Sequence, residues 1–554
     1  MPRHHKFDGL LYEHAACTLI PMPVRIIYNA NIYTLDPQLP KASAIAIQDD
    51  KIIALGDDQN ILPEFPAYLE RFDANRYTII PGLTDAHIHL QQYALNLTKV
   101  DCETATREEC LKRVAERAQH TPPGTWIIGH GWNQNNWNGG FGNAGELDSI
   151  TQDHPVYLTA KSLHAAWVNS AALHRAGITD QSLDPIGGKI GRDEKGLANG
   201  VLFETAMQLV SDLIPEPDPL QLIEPIQIAL RQLSAMGLTG LHDFDRRNCF
   251  AALQILHQRD DLKMRVTKSI PLDDLGHAAA IGLRSGFGDA MLRIGSAKAF
   301  SDGALGPRTA AMLSSYEGEL ENRGILMLDA EELVEIGRQA VDNGLSLAVH
   351  AIGDRANHHV LNAFSELRTY ERAVQTVDQQ HQLRHRIEHV QITHPEDARR
   401  LAELGVIASM QPIHATSDMD MANKFWGQRS EFAYAWRTQI IHGARLVFGS
   451  DAPVESPNPF LGLHAALTRR RADGSPGKDG WYPGQRLTPL EAIQAFTTGP
   501  AYATGMEDQL GKLSPGYLAD LVLLDIDPFD CEPDALLESR PQGTMVAGEW
   551  VYQS

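Results

Sequence analysis

The sequence lacks several features that would place it in a specialised class. No apolar run approaches the roughly eighteen residues needed to span a bilayer, and the first residues lack the apolar core of a signal peptide. The five cysteines are scattered, odd in number and never spaced as C-x-x-C, which argues against a disulfide scaffold or a zinc knuckle. We therefore expect a cytoplasmic protein with reduced thiols that does not bind membranes.

Positive charge is also scarce. The 48 lysines and arginines are outnumbered by 70 aspartates and glutamates, and the net charge of -22 repels nucleic acid and anionic lipid. The one dense basic run, Arg469-Arg470-Arg471, is interpreted as a solvated loop after a helix. A small molecule is therefore the expected partner. The oligomeric state stays open, and a homo-oligomer is compatible with the composition.

The sequence does contain the material for a large folded core. Hydrophobic residues make up 43% and charged residues 21% of the 554-residue chain, proportions typical of a globular protein. A chain of this length holds roughly two to four ordinary domains, or one large barrel with a smaller companion.

Strand-like segments at the two ends of the chain predict one small domain. Near the N terminus, Ala42–Ile47 and Lys51–Gly56 flank a turn and predict a hairpin. Near the C terminus, Ala519–Asp525 predicts a strand and Thr544–Tyr552 a second hairpin. We expect residues 1–80 and 501–554 to form a small β-sandwich domain together, with a larger domain between them.

The central part, residues 81–500, alternates short apolar strands with longer helical stretches, which is the pattern of parallel β/α units. After a first strand that starts at Tyr77 and ends in two histidines, eight more strands are predicted: Trp126–Gly129, Val156–Ala160, Gly240–Phe244, Ile294–Phe300, Ser346–His350, His385–Val390, Val406–Met410 and Leu446–Gly449. The predicted fold class is α/β, a (β/α)₈ TIM-type barrel. Because a barrel has eight strands, Trp126–Gly129 is taken as the extra one, and residues 101–235 are interpreted as partly an insertion.

Polar side chains follow the predicted barrel strands at the ends where barrel active sites lie. His87 and His89 are two residues apart and project to the same side of the first strand. The fourth, fifth, sixth and eighth strands bring, in that order, Lys298, His350, His389 and Asp451. Each alone has an ordinary explanation, as a core histidine, a snorkelling lysine or an aspartate that caps a helix. Because all six follow in strand order, a metal site is the favoured interpretation.

These residues carry a resemblance to the amidohydrolase superfamily of metal-dependent hydrolases. Within it, the chain resembles the branch of YtcJ-like proteins (amidohydrolase family 3) that includes N-substituted formamide deformylases, and the resemblance covers nearly the whole chain. The motifs that carry it are Pro81–His89, Lys298–Gly306, His350–Ala356, Glu388-His389, Gly449–Asp451, Gly511–Leu513 with Gly516, and Ala519–Leu521.

The resemblance implies a binuclear metal site in the barrel. The ligands that it implies are, for the more buried metal, His87, His89 and Asp451; for the second metal, His350 and His389; and, as a bridge carbamylated by carbon dioxide, Lys298. A carbamate is an anionic oxygen donor, which an ammonium is not. Zinc is the expected metal, and manganese, iron and cobalt accept the same ligand types.

The implied reaction is hydrolysis of a carbon–nitrogen bond in a small amide or formamide by a metal-activated hydroxide. Asp451 would be the catalytic residue that accepts the proton of the water and passes it to the leaving nitrogen. Four side chains are predicted to bind substrate: Trp132, His164, Arg308 and Gln411. For Trp132 and His164, packing of the insertion onto the barrel is an equal alternative to substrate binding. For Arg308 and Gln411, the alternative role is a hydrogen bond within a loop. Ser162-Leu163 stands where the branch usually has Asp-Gly, which indicates an altered acyl or amine pocket.

Neighbours of the predicted ligands receive structural roles. Glu388 is assigned to structure, because it faces away from His389 along the strand. His242-Asp243, near the end of the predicted third strand, is assigned to supporting the ligands. The segment Gly140–Gly145 fits G-x-G-x-x-G, but it opens no helix of a βαβ unit and predicts no nucleotide site.

Two other functions stay open. The first is another reaction of the superfamily, such as ester or cyclic amide hydrolysis or deamination, since such enzymes change substrate by changing loops. Its deaminases usually use one metal and lack a bridging lysine, so Lys298 counts against them. The second is a metal-free barrel without catalysis, which the complete set of ligand positions argues against.

Overall fold

The largest sheet of the molecule is an eight-stranded, parallel sheet whose neighbours follow chain order. The computed structural model describes residues 24–65, 69–134, 137–138, 140–161, 165–186, 188–374 and 382–554. The eight strands, named β1 to β8, are Leu83–Ile88, Leu238–Asp243, Arg265–Pro271, Leu292–Phe300, Leu347–Ala351, Arg386–His389, Ile407–Met410 and Leu446–Phe448. A bridge between Ile88 and Ala452 brings the end of β8 back to β1. The sheet is thus a nearly closed TIM-type barrel, and the predicted fold class is confirmed.

Helices follow the barrel strands, and others belong to the insertion and to the terminal sheets. The α-helices of eight or more described residues are Leu90–Thr98, Arg107–Gln119, Pro219–Ala235, Arg247–Gln258, Ala330–Asp342, Asp354–Val374, Met419–Trp426, Pro459–Thr468 and Pro489–Phe496. The shorter ones are Asp58–Glu64, Ala144–Asp148, Ser170–Arg175, Gln208–Ser211, Leu275–Ala280, Arg400–Leu404, Pro412–Ser417, Trp436–Ile441 and Thr498–Ala503. Within the described ranges, none combines the length and the hydropathy of a membrane span.

The helix Ala330–Asp342 illustrates how the sequence builds this layer. The Asp329 side chain accepts a hydrogen bond from the Glu332 amide, and the Glu332 side chain accepts one from the Asp329 amide, so the two residues cap the first turn reciprocally. Leu333, Gly337 and Val341 recur four residues apart on the buried face. This stripe packs the helix on the barrel core.

Strands from both ends of the chain pair in one six-stranded sheet. Its order is Glu549–Gln553, Pro541–Val546, Leu521–Leu524, Thr78–Pro81, Asn31–Tyr33 and Lys41–Ala42. A four-stranded sheet holds Lys51–Gly56, Ala44–Gln48, Arg25–Tyr28 and Glu70–Asp73. The predicted N-terminal hairpin is confirmed, with Gln48 opposite Lys51. Ile27 and Ile47 of the smaller sheet share one core with Ile79 and Leu521 of the larger.

The insertion between β1 and β2 has a sheet of its own. Its order is Gly188–Arg192, Ala198–Glu204, Ala165–Val168, Val156–Ala160, Ile127–Trp132 and Val100–Asp101. Trp126–Gly129 is therefore outside the barrel, as predicted, but the prediction of Val156–Ala160 as a barrel strand is wrong. The insertion also ends before residue 235, because the helix Pro219–Ala235 buries Leu222 and Ile226 in the barrel core.

One barrel strand, β3, was not predicted from the sequence. Its sequence, RVTKSIP, contains two cations, so it lacks the apolar run expected of a strand buried on both faces. Each cation has a buried partner: Arg265 Nε donates to Asp520 Oδ2 at 2.6 Å, and Lys268 Nζ to Asp243 Oδ2 at 2.7 Å. His242-Asp243 consequently lies on the second strand and not on the third.

Two further predictions need correction. The segment from Tyr77 to His89 is not one strand, because it breaks at Gly82 between the terminal sheet and β1. Thr239 of β2 packs so closely there that a Cβ on Gly82 would lie 2.2 Å from its Oγ1. Arg469 is not in a solvated loop, since its side chain is fully buried and its guanidinium lies 4.4 Å from the centre of the Trp436 ring.

Candidate metal centre

All six predicted ligands line one cavity of about 430 Å³ at the carboxyl ends of the barrel strands. Ligand-type atoms of His87, His389 and Asp451 all lie within 4.8 Å of one another. The Nε2 atoms of His87 and His89 lie 3.5 and 3.6 Å from Asp451 Oδ1. The rings of His350 and His389 are 4.6 Å apart, centre to centre. The structure therefore brings together the side chains that strand order predicted to meet.

The backbone is unusual at two of these positions. His389, the last residue of β6, has a φ of 76°, and Asp451, just after β8, has a φ of 60°. Residues other than glycine rarely adopt this left-handed region, and such strain is concentrated at functional sites. At both positions the backbone turns away from the strand, and the side chain of the turning residue enters the cluster.

Each of the four histidines has one ring nitrogen in a hydrogen bond with a neighbouring residue. The Nδ1 atoms of His87, His89 and His389 lie 2.6 Å from Glu388 Oε2, 3.2 Å from Asp245 Oδ1 and 2.9 Å from Gln411 Oε1. For His350 it is Nε2 that lies 2.9 Å from the Gly303 carbonyl oxygen. Such partners orient an imidazole and direct its other nitrogen to a metal. The arrangement thus leaves one nitrogen of every ring for the cavity.

Lys298 contributes a buried amine to the lining of the cavity. The side chain is 4% exposed, and its Nζ has no hydrogen-bond partner among the described residues. The Nζ atom lies 4.8 Å from the centre of the Phe244 ring. A buried ammonium without a partner is unfavourable, and burial lowers the pKa of Lys298 to about 8. A neutral amine in a dry site is the form that adds to carbon dioxide, and the resulting carbamate would need the cations that the surrounding ligands could hold.

The remaining charges also suit metal ligands. Burial, helped by the charge of Lys298, lowers the pKa of His87 to about 4 and that of His350 to about 3, so both imidazoles are neutral near pH 7, as ligation requires. Burial alone would raise the pKa of Asp451. The hydrogen bond from His414 Nε2, 3.3 Å from Asp451 Oδ2, and the nearby imidazoles hold that pKa well below its usual range.

A second group of ligand-type atoms, from Asp243, Asp245 and Cys249, also lies within 4.8 Å. Lys268 Nζ already donates to Asp243 Oδ2 at 2.7 Å and to the Asp245 carbonyl oxygen. Since Asp243 is paired with Lys268 and the Asp245 carboxylate lies at His89 Nδ1, we assign this second group to holding His89 in place.

The predicted substrate-binding residues fare differently. Trp132 is 1% exposed in the core of the insertion, where its Nε1 donates to the Leu158 carbonyl oxygen at 2.7 Å. Arg308 forms an ion pair with Glu319, and the guanidinium does not line the cavity. Gln411 contacts His389 and is fixed there. None of these three side chains is among the residues that line the cavity. Their roles in substrate binding stay predictions, and His164 lies outside the described residues.

Two residues that help to hold the ligands, Glu388 and Arg386, were not predicted to do so from the sequence. Glu388, which was assigned to structure alone, is fully buried and reaches His87 from inside the barrel. Arg386 donates to Glu388 Oε2 at 3.0 Å, and His242 Nδ1 lies 2.9 Å from Arg386 Nη1, so His242 supports the ligands through two intermediates. The sequence feature that could have indicated this role is the spacing of Arg386 and Glu388, because two charges two residues apart lie on one face of a short central strand.

A nearly closed parallel barrel that gathers imidazole, carboxylate and lysine side chains at the carboxyl ends of its strands defines a class, the metal-dependent hydrolases. Residues 70–552 match the Amidohydrolase family model, and the chain belongs to this family.

The relatives agree with the predicted branch. The putative amidohydrolase YtcJ of Bacillus subtilis is 29% identical over 95% of this chain and 99% of its own length. The N-substituted formamide deformylase of Arthrobacter pascens is 28% identical over 95% of this chain and 98% of its own. The crystal structure of an uncharacterized metal-dependent hydrolase from Pyrococcus furiosus is 28% identical in sequence. It superposes with a TM-score of 0.76 over 92% of this chain and 100% of its own. The resemblance to the YtcJ-like branch is confirmed.

Proposed function

We propose that this metal-dependent hydrolase cleaves the carbon–nitrogen bond of a small amide or formamide. The observation that carries the proposal is the arrangement of four oriented imidazoles and Asp451 in one cavity with the buried amine of Lys298, which has no hydrogen-bond partner among the described residues. The likeness to an N-substituted formamide deformylase along nearly the whole chain supports the same bond type.

The proposed assignment of ligands follows the resemblance to the family, and the Nε2 atoms of His87 and His89 near Asp451 Oδ1 support its first part. One metal would be held by His87, His89 and Asp451, the second by His350 and His389, and Lys298 as a carbamate would join them. Zinc suits imidazole and carboxylate ligands, and manganese, iron and cobalt accept them too. When bound, such metals supply a water of lowered pKa and polarise a carbonyl.

Asp451 is the proton carrier of the proposed reaction. Its Oδ1 faces the free nitrogens of His87 and His89, whereas its Oδ2 is held by His414. The oxygen of the attacking water bonds to the carbonyl carbon, and Asp451 takes the proton of that water. As the carbon–nitrogen bond breaks, Asp451 gives the proton to the nitrogen, which leaves as a neutral amine and not as an amide anion.

The test is a substrate screen with protein reconstituted in zinc or manganese. N-substituted formamides, N-acyl amino acids, cyclic amides and carboxylic esters are incubated with it, and the released amine or alcohol is quantified. We expect turnover in the formamide set. Turnover of carboxylic esters only, with every amide left intact, would contradict the proposal.

A further inference from the structure

The lining of the cavity that holds the candidate metal centre combines apolar and acidic side chains. Its apolar members include Phe300, 49% exposed, Val454, 67% exposed, and Met421. Its carboxylates outside the metal cluster are those of Glu455 and Asp418. This combination is suited to an apolar group that ends in a cation.

Of these two carboxylates, Glu455 is the one with the looser contact and so the better placed to meet a substrate. Its side chain is 21% exposed, and its contact within the described residues is His414 Nδ1, 3.9 Å from Oε1. Asp418 is less available, because Tyr434 donates its hydroxyl hydrogen to Asp418 Oδ2 at 2.5 Å. Glu455 is therefore the primary candidate for pairing with a cation, and Asp418 adds negative potential behind it.

No counter-ion for a substrate anion is available in the described lining. Its basic side chains are Lys298 and the histidines, and no arginine is among them. Lys298 and four histidines belong to the metal cluster, and His414 has a carboxylate at each nitrogen, Asp451 at 3.3 Å and Glu455 at 3.9 Å. A substrate carboxylate at the mouth would meet like charge and no partner.

A buried acceptor in the same cavity points independently to a ligand with N–H groups. Gln391 lines the cavity and is 4% exposed, and its Oε1 has no hydrogen-bond partner among the described residues. Leaving a buried acceptor unpaired costs free energy, so a bound group that donates an N–H would restore it.

Resting on the proposed function, we propose that the substrate carries a positively charged substituent, an ammonium or guanidinium that pairs with Glu455, and that compounds ending in a carboxylate are rejected. The inference concerns the distal group of the substrate and does not depend on which half of the amide bears it.

Three matched compounds test this charge preference: N-benzylformamide and its para-aminomethyl and para-carboxy derivatives. With zinc-loaded protein, we expect kcat/KM to be about tenfold higher for the cation than for the neutral compound, the scale of one charge-assisted hydrogen bond. The carboxylate should be the poorest substrate. Binding is measured separately, by calorimetry with the three corresponding N-benzylmethanesulfonamides, whose sulfonamide replaces the cleavable formamide.

The variant Glu455→Gln removes the charge and keeps the shape, so the ratio of Kd for the neutral to the cationic sulfonamide should fall toward one. Glu396→Gln is the matched control, because this carboxylate is 90% exposed and lies outside the cavity lining. Equal Kd values for the three sulfonamides, or tightest binding of the carboxylate, would overturn the inference. The expected order in Kd, with no turnover of any formamide or amide in the substrate screen, would support the charge preference and overturn the proposed function.

Discussion

Gln411 offers a sharp test of how the second metal is held. Its Oε1 lies 2.9 Å from His389 Nδ1, it is 1% exposed, and its Nε2 has no partner within the described residues. Gln411→Leu therefore removes one hydrogen bond, and the shape and the neutral charge of the site are nearly preserved. Because the imidazole loses the group that orients it, we expect the affinity for the metal at His389 to fall.

Loss of such a supporting partner typically weakens metal binding by about 10- to 100-fold, which is about 1.4 to 2.7 kcal/mol. The metal at His87 and His89 should be retained, since Glu388 and Asp245 hold those rings. The assay is dialysis against graded concentrations of a chelator, followed by mass-spectrometric determination of metals per chain. Gln411→Glu keeps an oxygen acceptor and is the matched control, which should retain both metals.

Retention of both metals by Gln411→Leu at the affinity of the unmodified protein would exclude an orienting role for Gln411. If KM for a formamide rose at the same time, Gln411 would contact substrate, which is the role that the sequence predicted. A fall in affinity for one metal with the second unchanged supports the structural assignment.

Three other changes have expected outcomes. Asp451→Asn should lower kcat by about 10²- to 10⁴-fold, because the amide cannot take up the proton; normal turnover with metal retained would exclude Asp451 as proton carrier. Lys298→Ala should lower the metal content from two to one per chain, measured by the same mass spectrometry, and an unchanged content would remove the lysine from the site. Gly82→Ala should destabilise the fold by about 1–3 kcal/mol, since the new Cβ would overlap Thr239. An unchanged midpoint of urea unfolding would show that the contact between Gly82 and Thr239 accommodates a side chain.

The ligand set could be predicted from sequence because each ligand interrupts or ends an apolar strand. Their partners could not, since Asp245 and Gln411 follow other strands and reach the histidines only through the register of the closed barrel. Contact of Glu388 with His87 depends on two strands that are far apart in the sequence. The coordination role of the six residues and the boundaries of the small domain stay predictions.

The strand errors have a related cause. Val156–Ala160 is apolar and β-branched like a barrel strand, and nothing within it tells which sheet it joins. Arg265 and Lys268 made β3 look unlike a buried strand, because their counter-ions Asp520 and Asp243 lie on other parts of the chain. The local pattern of apolar and polar residues indicates which positions are buried. It does not identify the distant counter-ion that makes a buried charge tolerable.

The position of Thr78–Pro81 has a consequence for biosynthesis. This strand immediately precedes β1, yet it pairs with Leu521–Leu524, near the end of the chain. Beside the ligands, Asp85 accepts a hydrogen bond from the amide of Ser450, a residue 365 positions later. On the ribosome, His87 and His89 therefore emerge long before the partners of their strand. We expect the nascent chain to acquire metal only after its release, and a protein truncated before residue 520 to be deficient in metal even though every ligand is present.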